Sequence, residues 1–332
     1  MADNILFGER ILTDALPKVA RWLVVTAPPV RQWVERHLRA HTALFHEATT
    51  LDEKSLVTLE SSLPPVDGVL GVGGGVAIDT AKYLAWRRQV TLCLAPSVIS
   101  VDAFLTESIA VRRKGRVHYL GEVYPQMVIV DFSLVSTAPA ELNRAGAGDI
   151  LSIHTALWDW KLAADAGHAH FLPDIASESR QLLEFLAETA EEIRDATPDG
   201  IRTLVELYAG EVELCRRAGS SRPEEGSEHF WAYNVEYRYP RPYVHGELVS
   251  LGVLLMAYLQ DNAPDWVADM VKRLGIRWQP QHLGLSREEV LESLLTARAY
   301  AEEDGLAYSV LNARPIDTTV AEKIVQSLNV FG

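Results

Sequence analysis

Apolar and polar residues follow two rhythms in this chain, and the change between them falls near Pro139. Before it, short apolar runs bounded by glycine, proline or charge predict strands at Trp22–Thr26 (WLVVT), Val69–Val72, Val90–Leu94 (VTLCL) and Met127–Val130 (MVIV), with a weaker one at Ala43–Phe45. Three-to-four spacing between these runs predicts helices over Val30–Leu38 and Glu53–Leu59, and another that contains Ala77, Ile78, Ala81 and Leu84. Ser108–Val111 and Val117–Leu120 flank Gly115 and read as a hairpin. Strands separated by helices of this length predict a mainly parallel sheet covered on both faces. After Pro139 nearly every segment has helical spacing: Leu151–Ala164, Ser177–Ala190, Ile201–Ala218, His229–Tyr237, Gly246–Asp261, Trp266–Leu274, Arg287–Ala301 and Thr319–Leu328. The expected organisation is an α/β domain over residues 1–139 followed by an all-α domain over residues 140–332. The crevice between two such domains is the default place for a ligand.

One stretch of the first domain changes the picture from fold to chemistry. Asp67–Lys82 (DGVLGVGGGVAIDTAK) reads as a buried strand, a turn of Gly73, Gly74 and Gly75, and the first turns of a helix. Such a turn aims backbone N–H groups and the positive end of a helix dipole at one point, which suits a phosphate or pyrophosphate. The same glycines also serve tight packing between strand and helix, and composition alone does not choose. The stretch is neither GxGxxG nor a Walker loop, so it is no standard nucleotide fingerprint.

Composition excludes more than it assigns. With 45 acidic against 31 basic residues, the formal charge of -14 disfavours nucleic-acid binding. The basic group Arg112, Arg113, Lys114 and Arg116 sits at the predicted hairpin turn and reads as a solvated tip. Two cysteines, Cys93 and Cys215, are too few for a disulfide framework or thiolate metal cage, and they fit a reduced, cytoplasmic protein. The amino-terminal stretch MADNILFGERILTDALPKV lacks the continuous apolar core of a signal peptide or anchor, and no later stretch reaches the length of a membrane span.

Three places hold candidate chemistry. Asp149 follows the loop AGAG and opens a helix, where capping is the plain alternative to metal ligation. His229 opens EHFWAYNVEY, and His245 precedes the long apolar helix that starts near Gly246. The two imidazoles can converge if the loop Tyr237–Val244, with Pro240 and Pro242, turns the chain back; alone, each reads as a helix-end or surface residue. One carboxylate with two imidazoles satisfies a divalent cation such as zinc and leaves positions open for substrate. His154 points about 140° from Asp149 on an ideal helix and stays outside this set. The loop Pro96–Thr106 (PSVISVDAFLT) places Ser97, Ser100 and Asp102 at the carboxyl end of a sheet strand, with an Asx-turn or cap as the alternative role of Asp102.

In order along the chain, GGGVAIDTAK, PSVISVDAFLT, AGAGDILSIHTALWDWKLA and GSEHFWAYNVEYRYPRPYVHGE make it resemble the metal-dependent, iron-containing-type alcohol dehydrogenase superfamily. Within it, the sn-glycerol-1-phosphate dehydrogenase and glycerol dehydrogenase branch fits best. The resemblance covers roughly residues 1–320. It implies a dehydroquinate synthase-like architecture with a Rossmann-like sheet and a helical second domain. It implies that Gly73, Gly74 and Gly75 hold the pyrophosphate of NAD or NADP, that Asp79 and Lys82 border the cofactor, and that Ser97 and Ser100 lie beside the nicotinamide half. By the same resemblance Asp149, His229 and His245 hold the catalytic metal, commonly zinc with iron or nickel in relatives, and Asp102 faces the substrate. A homo-oligomer is also implied.

Departures from the pattern bear on specificity. Ser97 stands for the usual threonine and keeps its hydroxyl; after Asp102 the chain reads AFLTE, where related enzymes carry smaller residues. Arg144, Arg238 and Arg241 are open to two roles, binding a substrate phosphate or decorating a loop. Thr26 and Ala27, after the Trp22 strand, lack the acidic residue that selects NAD by gripping the ribose, which suggests use of both NADH and NADPH. The leading expectation is therefore an oxidoreductase interconverting a small polyol or polyol phosphate with its ketone. The alternatives are a dehydroquinate synthase-like cyclase or lyase that uses NAD transiently, and a family member retained only for binding or assembly.

Overall fold

The amino-terminal apolar runs become strands of one parallel sheet in the computed structural model, which describes residues 4–38 and 43–331. The chain divides into two units, Met1–Asn143 and Arg144–Gly332. The first unit runs β1 (Ile5–Gly8), α1 (Leu12–Ala15), β2 (Trp22–Thr26), a tight turn over Pro28–Val30, α2 (Arg31–His37), β3 (Ala43–Glu47) and α3 (Glu53–Ser62). It continues through β4 (Gly68–Gly73), α4 (Gly75–Arg88), β5 (Thr91–Pro96), β6 (Ser108–Arg113), β7 (Arg116–Glu122), β8 (Met127–Asp131) and α5 (Phe132–Val135) to α6 (Ala140–Arg144) at its carboxyl end. Strand order is β1-β8-β5-β4-β2-β3, and every neighbouring pair is parallel.

Both faces of this sheet are apolar because both are covered. Trp22, Val24, Leu70, Val72, Cys93, Ala95 and Ile129 share one core with Leu12 of α1 and Val34 of α2. The alternate residues Leu23, Val25, Val69 and Leu94 are equally buried. Gly71 belongs to that second set, and a methyl group on it would stand 2.7 Å from the Ala81 methyl of α4, so strand and helix touch as only glycine allows. β1 goes undetected in the sequence because it is a four-residue edge strand with no fully buried position. β5 runs on past the apolar run to Pro96, its last residue, opposite Gly73. β6 and β7 form a separate antiparallel hairpin whose tip, Lys114 and Gly115, has left-handed backbone (φ 52° and 82°).

The topology locates one crevice within this unit. The chain leaves β2 through α2 toward β3 on one side, and leaves β4 through α4 toward β5 on the other. Connections that part in this way open a gap at the carboxyl ends of the two strands, where open α/β sheets take their ligands. Gly73 and Ala27 face each other across it: a methyl on Gly73 would lie 3.4 Å from the Ala27 methyl.

The second unit is helical: α7 (Ala147–Asp165), α8 (Pro173–Glu188), α9 (Ala190–Asp195), α10 (Pro198–Ala218), α11 (Ser227–Arg238), α12 (His245–Gln260), α13 (Pro264–Arg273), α14 (Arg287–Glu303), α15 (Val310–Ala313) and α16 (Thr318–Phe331). Nearly every residue of α12 is buried, and α7, α11 and α13 pack around it, as an apolar circumference demands. No helix among the described residues is long and apolar enough to cross a membrane.

Candidate functional site

Three helices of the second unit each deliver one polar side chain to the same point. Asp149 is the third residue of α7, His229 the third of α11, and His245 the first of α12. Their ligand-type atoms all lie within 4.8 Å of one another. His245 Nε2 stands 3.6 Å from Asp149 Oδ1, and the two imidazole centroids are 5.4 Å apart. Asp149 is not the N-cap of α7; that residue is Gly146, and Asp149 sits three positions on. Tyr208 supports this end of the helix: its hydroxyl donates to Gly146 O at 2.7 Å and stands 3.4 Å from Asp149 Oδ2.

Glycine explains how the helices come so close. A methyl on Gly148 would meet Gly246 O at 2.2 Å, so α7 and α12 touch backbone to backbone, and one on Gly246 would meet Ala145 O at 1.9 Å in the turn that leads into α7. Gly252 does the same for α12 against α11, where a methyl would lie 2.7 Å from Glu228 O. Any larger residue at these positions separates the elements that carry the three side chains.

The His229 ring is held from behind. Its Nδ1 is 3.0 Å from Oε1 of Glu228, which also accepts from Gly226 N at 2.6 Å, and Glu228 Oε2 accepts from Thr155 Oγ1 at 2.8 Å. Burial disfavours a charged His229, but the bond to Glu228 and the charges of Glu228, Glu225 and Asp149 outweigh it and raise its pKa to about 9. Asp159 lies deeper, one oxygen accepting from Ser227 N at 2.8 Å and the other from Val310 N at 2.7 Å, so it caps both α11 and α15. Burial first, and then the charge of Glu228, push its carboxyl up to about 7.

These residues fit a divalent cation. Two ligands of a tetrahedral zinc at about 2.0–2.1 Å stand roughly 3.3 Å apart, close to the 3.6 Å between His245 and Asp149. A ligand histidine whose other nitrogen meets a carboxylate is the usual arrangement at metal sites, and His229 has it. His154 stands apart, with Nε2 2.7 Å from Asn262 O and its ring 5.0 Å from Trp266.

The first unit holds the other candidates. Gly74 is the N-cap of α4 and Gly75 its first residue, so the helix begins at the sheet crevice with its first-turn amides facing outward along the axis. Ser97 is buried and donates its backbone N–H to Gly73 O at 3.1 Å; Ser100 and Asp102 are partly exposed, and the Asp102 carbonyl accepts from Leu105 N at 2.7 Å. Thr26 is fully buried at the end of β2, and its hydroxyl meets no partner among the described residues. Asp79 and Lys82 are committed inside the protein. Lys82 Nζ reaches Ala103 O at 2.8 Å, Asp79 at 3.2 Å and Thr106 Oγ1 at 3.2 Å, while Asp79 accepts from Ala110 N at 3.3 Å. They tie the Asp102 loop and the hairpin to α4.

The arginines singled out in the sequence are also engaged. Arg238 pairs with Glu292, Arg241 with Glu289 and Gly284 O, and Arg144 donates to Arg194 O at 3.3 Å, the pattern of braces within the unit. Residues that the sequence left unmarked include Glu228, Thr155, Tyr208, Asp159 and the helix-contact glycines. Only Glu228 carried a local signal, as an acid beside a candidate ligand.

Comparison with known proteins places the chain among dehydrogenases. The iron-containing alcohol dehydrogenase family model matches residues 21–139. The chain is 32% identical over 283 residues to a glycerol-1-phosphate dehydrogenase [NAD(P)+] of Hyperthermus butylicus, covering 84% of this chain and 79% of the relative. To the enzyme of that name from Sulfurisphaera tokodaii it is 28% identical over 316 residues, covering 93% and 89%. In fold it is similar to a probable glycerol dehydrogenase from Sinorhizobium meliloti, with a TM-score of 0.74, 19% identity and coverage of 99% and 96%.

Proposed function

The chain belongs to the iron-containing alcohol dehydrogenase family, and on that premise we propose that it is a metal-dependent, NAD(P)-linked dehydrogenase interconverting glycerol 1-phosphate and dihydroxyacetone phosphate. The observation that carries this reading is the meeting of Asp149, His229 and His245 from three helices, in a chain whose curated relatives bear that activity's name. Zinc is the cation assigned here, because one carboxylate and two imidazoles suit it and leave a position for a substrate oxygen. Asp149, His229 and His245 would hold the cation, which would supply Lewis acidity toward the substrate oxygen, and a bound nicotinamide would supply the hydride chemistry.

The chain's own residues supply binding and orientation. Asp149 brings the negative charge of the ligand set, and Tyr208 steadies its helix end. In the first unit the amino terminus of α4, bare of side chains at Gly74 and Gly75, takes the pyrophosphate, while Ser97 and Ser100 offer hydroxyls to the nicotinamide half. Asp102 accepts a hydrogen bond from a substrate hydroxyl. Thr26 presents no carboxylate to a ribose 2′-phosphate, and Glu47, opposite it in register, is paired with Arg31 at 3.3 Å, so NADPH is used as well as NADH.

The test is oxidation of NADH and of NADPH by zinc-loaded protein with dihydroxyacetone phosphate, free dihydroxyacetone and cyclic ketones. Net consumption of either cofactor with the phosphorylated triose is expected. No consumption with any ketone, under conditions where zinc is bound, overturns the proposal; a cyclase, which regenerates its cofactor, gives that result.

A further inference from the structure

We infer that Glu228 is a positioning residue that locks the His229 imidazole so that Nε2, and not Nδ1, is presented to the cation. The inference rests on the metal-centre reading above and deepens it. Glu228 is 0% exposed, and both of its oxygens are engaged. Oε1 accepts from Gly226 N at 2.6 Å and Oε2 from Thr155 Oγ1 at 2.8 Å, so Glu228 acts as an acceptor toward its fixed neighbours, and His229 Nδ1, 3.0 Å from Oε1, is placed to donate to it as well. With Nδ1 so engaged, Nε2 is the nitrogen whose lone pair is free for a cation once the ring is neutral.

The carboxylate is itself held against rotation. Oε2 accepts from Thr155 Oγ1 at 2.8 Å, and Thr155 stands on α7, the helix that bears Asp149. The Glu228 main chain is pressed against Gly252 of α12, the helix that bears His245. One residue thus links two of the ligand-bearing helices through its side chain and leans on the third through its main chain. A brace of this kind fixes ring orientation before the cation arrives, which saves the ordering of the ring on binding.

The variants are Glu228→Gln, Glu228→Ala and Thr155→Val, each checked for folding by circular dichroism. Zinc affinity is read by chelator competition, and ligand geometry by the visible absorption of the cobalt(II)-substituted protein. Glu228→Gln is expected to weaken zinc binding by about 10–100-fold and to change the cobalt spectrum, with Glu228→Ala weaker still and Thr155→Val between wild type and Gln. A residue that merely fills space would lower the melting temperature and leave the cobalt spectrum of the folded protein as it was. Folded Glu228→Gln and Thr155→Val proteins that bind zinc within twofold of wild type, with unchanged spectra, overturn the inference. Failure of the wild-type protein to bind zinc or cobalt stoichiometrically overturns the metal-centre reading itself.

Discussion

Replacing Gly246 by alanine tests whether helix contact sets the spacing of the metal ligands. The added methyl would lie 1.9 Å from Ala145 O and 2.6 Å from Ala145 C, where ordinary contact begins near 3.4 Å. The obstacle is backbone, so no rotamer change relieves it, and α12 must withdraw by about 1.5 Å from the turn at Ala145 that leads into α7. His245 is the first residue of α12 and Asp149 the third of α7. Their 3.6 Å separation then grows toward about 5 Å, wider than one zinc can bridge with ligands at about 2.0–2.1 Å. Overpacking of this kind costs about 1–3 kcal/mol in stability, and loss of one ligand costs far more in zinc affinity. Chelator competition with zinc measures the second effect and thermal melting the first. Gly210→Ala is the control: its methyl would lie 3.0 Å from the movable end of Leu182, so zinc affinity is expected to hold. If Gly246→Ala binds zinc as tightly as Gly210→Ala does, the contact between α7 and α12 is not what spaces the ligands.

Three further outcomes follow from the same structure. Lys82→Met leaves the Asp79 carboxylate buried beside only the Ala110 N–H, and urea denaturation should show a loss of about 3–5 kcal/mol that Asp79→Asn partly restores; a loss below about 1 kcal/mol speaks against the pair as a brace. Asp159 binds a proton up to about pH 7 when folded but only to its ordinary 3.8 when unfolded, so its contribution is whole below about pH 4 and is lost as pH rises through 7. Chelator-treated protein should therefore lose up to about 1.4 kcal/mol per pH unit between pH 5 and 7, a slope absent in Asp159→Asn. His229, raised to about 9, must shed a proton to bind metal below that pH, so zinc affinity should climb about tenfold per unit from pH 7 and level off near pH 9; a flat profile contradicts the charged imidazole.

Most of the strands and long helices were legible because burial on a sheet or on one side of a helix leaves a local period in the chain. β1 was missed because four residues at an edge bury too little to leave one. The glycine turn, too, announced itself: Gly73, Gly74 and Gly75 lie between β4 and α4, where side chains would block both packing and a ligand. The arginines of the Tyr237–Val244 loop stood open to two roles, and their pairing with Glu289 and Glu292 came from α14, some fifty residues onward. Lys82 showed its partner Asp79 at helical i,i+3 spacing but gave no sign that it would be fully buried with its ammonium also on Ala103 and Thr106, which lie in a loop beyond the next strand.

What the amino-acid order determined by itself was the kind of most elements and the type of each candidate ligand, an acid at 149 and imidazoles at 229 and 245. Tertiary structure decided that these three meet, that Glu228 stands behind one of them, and that Gly146 and not Asp149 is the N-cap of α7. The physical reason is range. A hydrophobic period is written over a few consecutive residues, whereas the distance between α7, α11 and α12 is set by backbone contacts at Gly148, Gly246 and Gly252, each made with a residue far along the chain.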